Sequence, residues 1–166
     1  MTESKATTVP STREVLERAH ELFLNKDLNG FAEMFAKDGA HELPFAPPGV
    51  PKYLVGREPV RQYLTSITKT PLELKTFHNL TVHETADPEV IIAEYEARGT
   101  VVRTGKEYRM PYVQLLKARN GEILIWRDYW SPLSGVQALG LFGMLLNVIR
   151  NARSIRRMRK QLKTTP

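Results

Sequence analysis

Residues 107–130, EYRMPYVQLLKARNGEILIWRDYW, decide the fold class of this 166-residue chain. At their centre lies Asn120-Gly121, the dipeptide most typical of a two-residue turn between antiparallel strands, since both residues tolerate positive φ angles. The arm before the turn alternates in character, and one of its faces carries Tyr108, Met110, Tyr112, Gln114 and Leu116. The segment therefore predicts a long β-hairpin.

Two more strand-like segments precede the hairpin, at residues 72–84 and 90–103. Turn-forming residues at 86–88 and 104–106 join them to each other and to the hairpin. The face of residues 72–84 that is expected to point inward carries Leu72, Leu74, Thr76, His78, Leu80 and Val82. Strands of about 12 residues exceed the usual five or six, so we expect four hairpin-linked strands in a strongly curved antiparallel sheet.

Three helices are predicted before these strands. The first begins at a capping box, residues 11–14, the second follows Asp27, and the third opens with Glu58-Pro59. A short strand is expected at residues 41–45. This order predicts an α+β fold in which a curved antiparallel sheet wraps three N-terminal helices and leaves a cavity at one end.

The composition excludes several kinds of site. The chain contains no cysteine, which excludes disulfides, thiolate zinc sites and cysteine nucleophiles. Its four histidines lack the spacing of a metal site, so no metal is expected. Residues 1–11 are polar and are expected to form a disordered leader, and no apolar run reaches the ~18–20 residues of a membrane span. We therefore expect a cytoplasmic protein.

The basic charge is concentrated at the C-terminus. Residues 150–166 carry seven Lys or Arg and no acid, whereas the first 149 residues carry 17 basic and 18 acidic groups. We divide the chain into the leader at 1–11, a domain at 12–133, and an apolar-then-basic helical extension at 134–166. Three interpretations of the extension are open: packing on the domain or on a partner, a lid helix that projects into solvent, and weak contact with an anionic membrane surface. No nucleic-acid partner is expected, because the body of the chain is near neutral.

Four short motifs carry a resemblance to a known family. They are FAKDGA at 35–40, GREPV at 56–60, TGK at 104–106 and WRDYW at 126–130. In this order and spacing the chain resembles the SnoaL-like and ketosteroid-isomerase-like branch of the nuclear-transport-factor-like superfamily. The resemblance implies a cone-shaped domain around a cavity for a small hydrophobic molecule. It also implies no cofactor, no metal, and a homodimer formed through the sheet.

The resemblance leaves the reaction open. The superfamily includes ketosteroid isomerases, polyketide cyclases, epoxide hydrolases, phenazine-precursor condensing enzymes and members without catalysis. Limonene-epoxide-hydrolase-like members pair a catalytic Asp, in a run resembling WRDYW, with an Arg and an Asp that would fall at Tyr95 and Ala97 here. The base of the ketosteroid isomerases would fall at about Leu43. The partner residues of both reactions are therefore missing, and neither chemistry is expected by those routes.

Asp128 is the first catalytic candidate. On a strand it shares a face with Trp126 and Trp130, so its carboxylate is expected between two tryptophans and out of water. Burial raises the pKa of a carboxyl group, which suits acid–base catalysis near neutral pH. The alternative is a buried structural anchor, tied to a helix cap or to an arginine.

Two histidines are the next catalytic candidates. His41 is expected to face the same side of its short strand as Leu43, where an imidazole can move a proton or hydrogen-bond a carbonyl. His78 is expected on the apolar face of its strand. A histidine satisfied by water or by the core is the alternative for each. His20 and His83 fall on polar faces and are assigned no role.

Aromatic and amide side chains complete the expected substrate site. Tyrosine hydroxyls donate hydrogen bonds to carbonyls, although buried tyrosines with a wet hydroxyl are also common in protein cores. The residues predicted to bind the substrate are Phe45, Tyr63, Tyr95, Tyr112, Gln114, Trp126 and Trp130.

These expectations indicate a cofactor-independent enzyme that performs acid–base chemistry on a small hydrophobic metabolite of polyketide or other secondary metabolism. Cyclisation, isomerisation, dehydration and hydrolysis are all open as reaction types. The alternative is a non-catalytic ligand-binding or interaction domain whose basic tail docks to a partner or to a membrane surface.

Overall fold

Helices precede the long strands in this protein, as the sequence predicts. The computed structural model describes residues 9–47, 50–138 and 140. The helices are α1 (Thr12–Leu24), α2 (Leu28–Glu33) and α3 (Arg57–Ile67). The strands are β1 (Phe35–Glu42), β2 (Tyr53–Val55), β3 (Leu72–Glu84), β4 (Val90–Val101), β5 (Glu107–Arg119) and β6 (Glu122–Trp130). Residues 132–138, after the last strand, are also helical.

The six strands form one curved, open sheet in the order β2-β1-β6-β5-β4-β3. Strands β3, β4 and β5 each pair antiparallel with the next strand along the chain, and the turn before β6 contains Asn120 and Gly121, both with positive φ. The predicted four-stranded meander is therefore confirmed. The sheet is not antiparallel throughout, because β1 pairs parallel with β6. Strand β2, which the sequence pattern did not reveal, pairs antiparallel with β1 at the sheet edge.

The helices pack on the inner face of the curved sheet. The capping box predicted for α1 is present: the Ser11 hydroxyl accepts from the Glu14 N–H, and the Glu14 carboxylate accepts from the Ser11 N–H. Apolar side chains from both layers meet in one core, whose largest fully buried members include Leu16, Phe31, Phe35, Leu64, Leu116 and Trp126. This packing holds the helices over the inward-pointing residues of the sheet.

Two irregularities in β3 overturn the predicted alternation of that strand. Its pairing with β4 shifts register once before Thr76 and again after His78. A bulge inserts an extra residue, so the side chains that follow turn to the opposite face. Phe77 therefore packs against the core, whereas His78 and Leu80 are exposed. The prediction that His78 lies on the inner face is wrong for this reason.

Strand β1 also departs from the prediction. The sequence indicated a strand at 41–45, but the strand begins at Phe35 and ends at Glu42. Phe45 lies beyond its end, where the side chain is 58% exposed and contacts the ring of Tyr129. Tyr129 points to the face of β6 opposite to that of Asp128. Phe45 therefore lies outside the inner space of the sheet, and it is not among the residues that line the cavity described below.

Parts of the predicted leader and extension fall outside the described residues. These parts are residues 1–8 at the N-terminus, and residue 139 and residues 141–166 at the C-terminus. Of the predicted extension, residues 134–138 are described as helical. Across the described part of the chain, no helix has the length and apolar character that a membrane-spanning segment requires.

Candidate functional site

A cavity of about 340 Å³ lies between the helices and the inner face of the sheet. This volume is in the range of sites that hold small molecules. Apolar and aromatic side chains make up most of its wall. Its titratable groups include His20, His41, Tyr63, Tyr95, Tyr112 and Asp128.

The Asp128 carboxylate is the centre of a buried hydrogen-bond cluster in this cavity. Its Oδ2 atom accepts a hydrogen bond from Nε1 of Trp126 at 3.2 Å and lies 3.1 Å from Nε2 of His41. Asp128 is 9% exposed and His41 only 2%. The second oxygen, Oδ1, is buried and has no hydrogen-bond partner among the described residues. One oxygen is thus fixed by two contacts, while the other keeps its capacity to accept a proton or a hydrogen bond.

Strand pairing brings His41 and Asp128 together across 87 positions of the sequence. In the parallel ladder between β1 and β6, His41 is the partner of Trp126. Asp128 lies two residues beyond Trp126, so its side chain points to the same face. On the other face Arg127 pairs with Glu42, and this arginine therefore does not neutralise Asp128. The sequence identified both candidates but not the parallel pairing that joins them.

The surroundings of His41 indicate where its proton lies. Its Nδ1 atom is buried and has no hydrogen-bond partner within the described residues, whereas Nε2 contacts the Asp128 carboxylate. A proton on Nδ1 would leave a buried donor unpaired, at a cost of roughly 1–3 kcal/mol. We therefore assign a neutral ring that carries its proton on Nε2 and donates a hydrogen bond from it to the Asp128 carboxylate. In this assignment Asp128 carries the negative charge of the pair.

Three tyrosines in the cavity experience the charge of Asp128. Burial raises the pKa of Tyr63, Tyr95 and Tyr112, and the negative charge of Asp128 raises each pKa further. All three hydroxyls are therefore protonated donors at neutral pH. Tyr95 donates to Oε1 of Gln114 at 2.9 Å. The ring of Tyr63 meets the ring of His41 edge-on, with centroids 5.4 Å apart.

His20 belongs to the site, although the sequence analysis placed it on a polar helix face. It lines the cavity, is 6% exposed, and stacks on Phe77 with ring centroids 4.2 Å apart. Burial lowers the pKa of His20 to about 4, while the charge of Asp128 and the contact with Gln114 oppose this shift. The ring is therefore neutral at neutral pH. A signal was available in the sequence, because His20 follows the buried Leu16 by four residues and so shares its helix face.

Comparison with known proteins assigns the domain to a family. Residues 16–126 match the SnoaL-like domain. The chain belongs to the SnoaL-like family. The uncharacterised protein YesE of Bacillus subtilis is 34% identical over 127 residues, which cover 76% of this chain and 86% of YesE. The uncharacterised PhzA/B-like protein PA3332 of Pseudomonas aeruginosa is 31% identical over 143 residues, which cover 86% of this chain and 99% of the relative.

Solved structures share the fold of this SnoaL-like domain. A candidate isomerase from Bacillus subtilis superimposes with a TM-score of 0.72 and 33% identity, over 78% of this chain and 92% of the other. A candidate polyketide cyclase from Pseudomonas putida gives 0.65 at 14% identity, over 78% and 98% of the two chains. A Catenulispora acidiphila protein with a ketosteroid-isomerase-like fold gives 0.63 at 18% identity, over 79% and 93%. The cone-type α+β fold predicted from the sequence is therefore confirmed.

The SnoaL-like cavity of this chain gathers most of the residues that the sequence singled out. Its lining includes Asp128, His41, Tyr63, Tyr95, Tyr112, Trp126 and Trp130. Gln114 is fully buried instead, opposite Asp128 in the pairing of β5 with β6, where it holds the Tyr95 hydroxyl. His78 and Phe45 lie outside. The roles of the lining residues in binding and catalysis stay predictions.

The arrangement suits proton transfer. In residues 9–47, 50–138 and 140, no group of three His, Asp or Glu side chains is positioned to hold a metal ion. A carboxylate with one unpartnered oxygen can take a proton from a bound molecule. The hydroxyls of Tyr63 and Tyr112, which also line the cavity, can donate to an oxygen of the same molecule.

Proposed function

We propose that this SnoaL-like protein is an enzyme that moves protons on a small hydrophobic molecule without an organic cofactor. The observation that carries the proposal is the pair of His41 and Asp128, buried and 3.1 Å apart, in the wall of a ligand-sized cavity. A buried carboxylate charge lowers the stability of the folded protein unless it is paired or hydrogen-bonded, so such a charge is often kept for a functional reason. Asp128 lies in the wall of a cavity rather than in a filled core, and this position favours a role in binding or catalysis.

The proposed first step is removal of a proton from a carbon next to a carbonyl group. Oδ1 of Asp128 takes the proton, and the electron pair of the broken C–H bond forms a carbon–carbon double bond with the carbonyl carbon. A hydroxyl of Tyr63 or Tyr112 hydrogen-bonds the oxygen, on which negative charge develops. His41 holds Oδ2 through its Nε2 proton, so that the other oxygen keeps a fixed direction.

The next step of the enolate decides the reaction type. If the substrate has a carbon–carbon double bond conjugated to the new enolate, return of the proton from Asp128 to the far carbon of that system is an isomerisation. Attack of the enolate carbon on a second carbonyl carbon is an aldol cyclisation, in which Asp128 returns its proton to the new alkoxide oxygen. The related structures include a candidate isomerase and a candidate polyketide cyclase. This likeness supports isomerisation and aldol cyclisation as the proposed reaction types of this chain. We propose one of these two reactions on a carbonyl compound of secondary metabolism.

Solvent deuterium exchange tests the proposed first step without knowledge of the natural substrate. The full chain is incubated in D₂O with a panel of small hydrophobic ketones, such as 2-tetralone, and loss of the C–H signals next to the carbonyl is followed by proton NMR. We expect at least one ketone to exchange faster with the protein than in buffer. Exchange at the buffer rate for the whole panel would contradict the proposal.

A second candidate function is ligand binding without catalysis. The observation that favours it is that Leu43, Tyr95 and Ala97 stand where the resemblance expected acidic or basic partners, and none of the three supplies a charge. This candidate predicts that small hydrophobic molecules bind in the cavity and that their C–H groups never exchange. Binding of a ketone together with exchange would exclude it.

A further inference from the structure

The cavity holds one formal negative charge that its described walls do not balance. None of the described residues that line it is a lysine or an arginine. His41, in the neutral form assigned above, donates a hydrogen bond to Asp128 and does not cancel its negative charge. Burial lowers the pKa of His20 to about 4, so this second ring is uncharged at neutral pH as well. Among the described residues, the lining of the cavity is therefore net negative toward a ligand.

Aromatic rings form much of the wall near this charge. Tyr95 and Tyr112 lie almost parallel, with centroids 5.2 Å apart and an angle of 10° between their planes. Phe77 meets Tyr95 edge-on at 5.2 Å, and Trp126 donates its N–H to Asp128 itself. The faces of aromatic rings carry negative electrostatic potential and attract organic cations. The rings and the carboxylate therefore favour the same sign of ligand charge.

We infer that the ligand of this cavity carries an organic cation, an alkylated ammonium group, held between Asp128 and the aromatic walls. The inference rests on the proposed function, because it concerns the substrate class of the same site. An anion would put a second negative charge beside Asp128 in a space of low dielectric, where like charges repel strongly. A neutral ligand would leave the carboxylate without compensation. The apolar remainder of the wall, including Leu72, Leu74 and Met110, fits a hydrocarbon body.

A cationic substrate also suits the chemistry of the first step. When the Asp128 carboxylate takes a proton from a carbon between a ketone and an ammonium group, the C–H electron pair moves into the new double bond and an enolate oxygen forms. Asp128 then becomes a neutral acid, and the substrate becomes an ammonium enolate of zero net charge. The same step on a neutral ketone creates an uncompensated enolate anion, for which the described lining offers hydrogen-bond donors but no lysine or arginine.

Tryptophan fluorescence can report on this cavity alone. The chain has two tryptophans, Trp126 and Trp130, and both line the cavity. The probes are phenyltrimethylammonium and tert-butylbenzene, which have nearly the same shape and differ by one positive charge. We expect the full chain to bind the ammonium at least about tenfold more tightly. Equal or tighter binding of tert-butylbenzene, or no binding of the ammonium, would overturn the inference.

A charge-removing variant localises the effect. Asp128→Asn keeps the shape of the side chain, and we expect it to weaken phenyltrimethylammonium binding about tenfold while changing tert-butylbenzene binding little. The matched control is Glu94→Gln, which removes an exposed carboxylate on β4 and should change neither. Equal weakening in both variants would show a general charge effect and overturn the inference. If Asp128→Asn fails to fold by circular dichroism, the ratio of the two probes on the wild-type protein decides alone.

The binding and exchange experiments fail independently. A protein that prefers the ammonium but exchanges no ketone protons supports the cation site and contradicts the enzyme. A protein that exchanges ketone protons but binds tert-butylbenzene as tightly as the ammonium overturns the cation site and leaves the enzyme standing.

Discussion

Nε2 of His41 lies 3.1 Å from Oδ2 of Asp128, and this contact joins the two parallel strands of the sheet inside the cavity. The pair places a carboxylate beside an imidazole in the cavity, although the residues that the resemblance to the epoxide hydrolases and ketosteroid isomerases implies are missing. Its geometry depends on the register of β1 against β6, where His41 stands opposite Trp126. A change to either residue should therefore affect both the stability of the protein and the proposed proton transfer.

Replacement of His41 by phenylalanine should destabilise the protein. The variant takes away one of the two donors to Oδ2 of Asp128 and leaves a buried carboxylate less satisfied, at a cost of roughly 1–3 kcal/mol. His41→Gln is the matched variant, because its amide can still donate. Urea unfolding of the two variants checks the prediction, and equal stability would argue against the hydrogen bond as assigned.

His20 should make the protein less stable in acid. Its pKa is lowered to about 4 in the folded protein from the ordinary value of 6.5, so below pH 6.5 the unfolded chain binds a proton that the folded state excludes. The free energy of unfolding therefore has its full value above pH 6.5. It falls as the pH drops toward 4, by roughly 3 kcal/mol in all, because protonation of His20 favours the unfolded chain.

Urea unfolding at several pH values measures this effect. We expect His20→Gln to flatten the fall in the free energy of unfolding between pH 6.5 and pH 4. His83→Gln, at an exposed position, is the control and should keep the wild-type slope. A His20→Gln variant with the unchanged slope would show that another group is responsible.

Gly99 should not accept even a methyl group. A Cβ atom at this position in β4 would overlap the backbone oxygen of Glu73 and lie 2.8 Å from the ring of Tyr108, which lines the cavity. Gly99→Ala therefore forces β3 away from β4, at a cost of roughly 1–3 kcal/mol. Gly135→Ala is the control, since no described atom outside its own neighbours lies within 4 Å of a Cβ there. Thermal unfolding compares the two, and equal melting temperatures would contradict the packing of β3 on Gly99.

Local chemistry made much of the fold predictable from sequence. The capping box at Ser11 and the turn at Asn120-Gly121 depend on neighbouring residues only, and both appear in the structure. The position of Asp128 on the inner face is predictable because β6 alternates regularly from Leu124 to Trp130. These features need no knowledge of distant contacts.

Long-range contacts and irregular backbone account for the features that the sequence did not reveal. The parallel pairing of β1 with β6 joins residues that are far apart in the chain, and no local pattern indicates it. The register shifts in β3 exchange the faces of Phe77 and His78, which strict alternation cannot anticipate. The burial of His20 is predictable from its position four residues after Leu16, whereas its stacking on Phe77 depends on the distant strand β3.

The most direct test of the central claim is the rate of solvent deuterium exchange in a bound ketone, compared between the wild-type chain and Asp128→Asn. If Asp128 is the base, the variant should lose at least about a hundredfold of the protein-dependent rate, whereas Glu94→Gln should keep it. A folded Asp128→Asn protein that exchanges the ketone protons at the wild-type rate would contradict the assignment of Asp128.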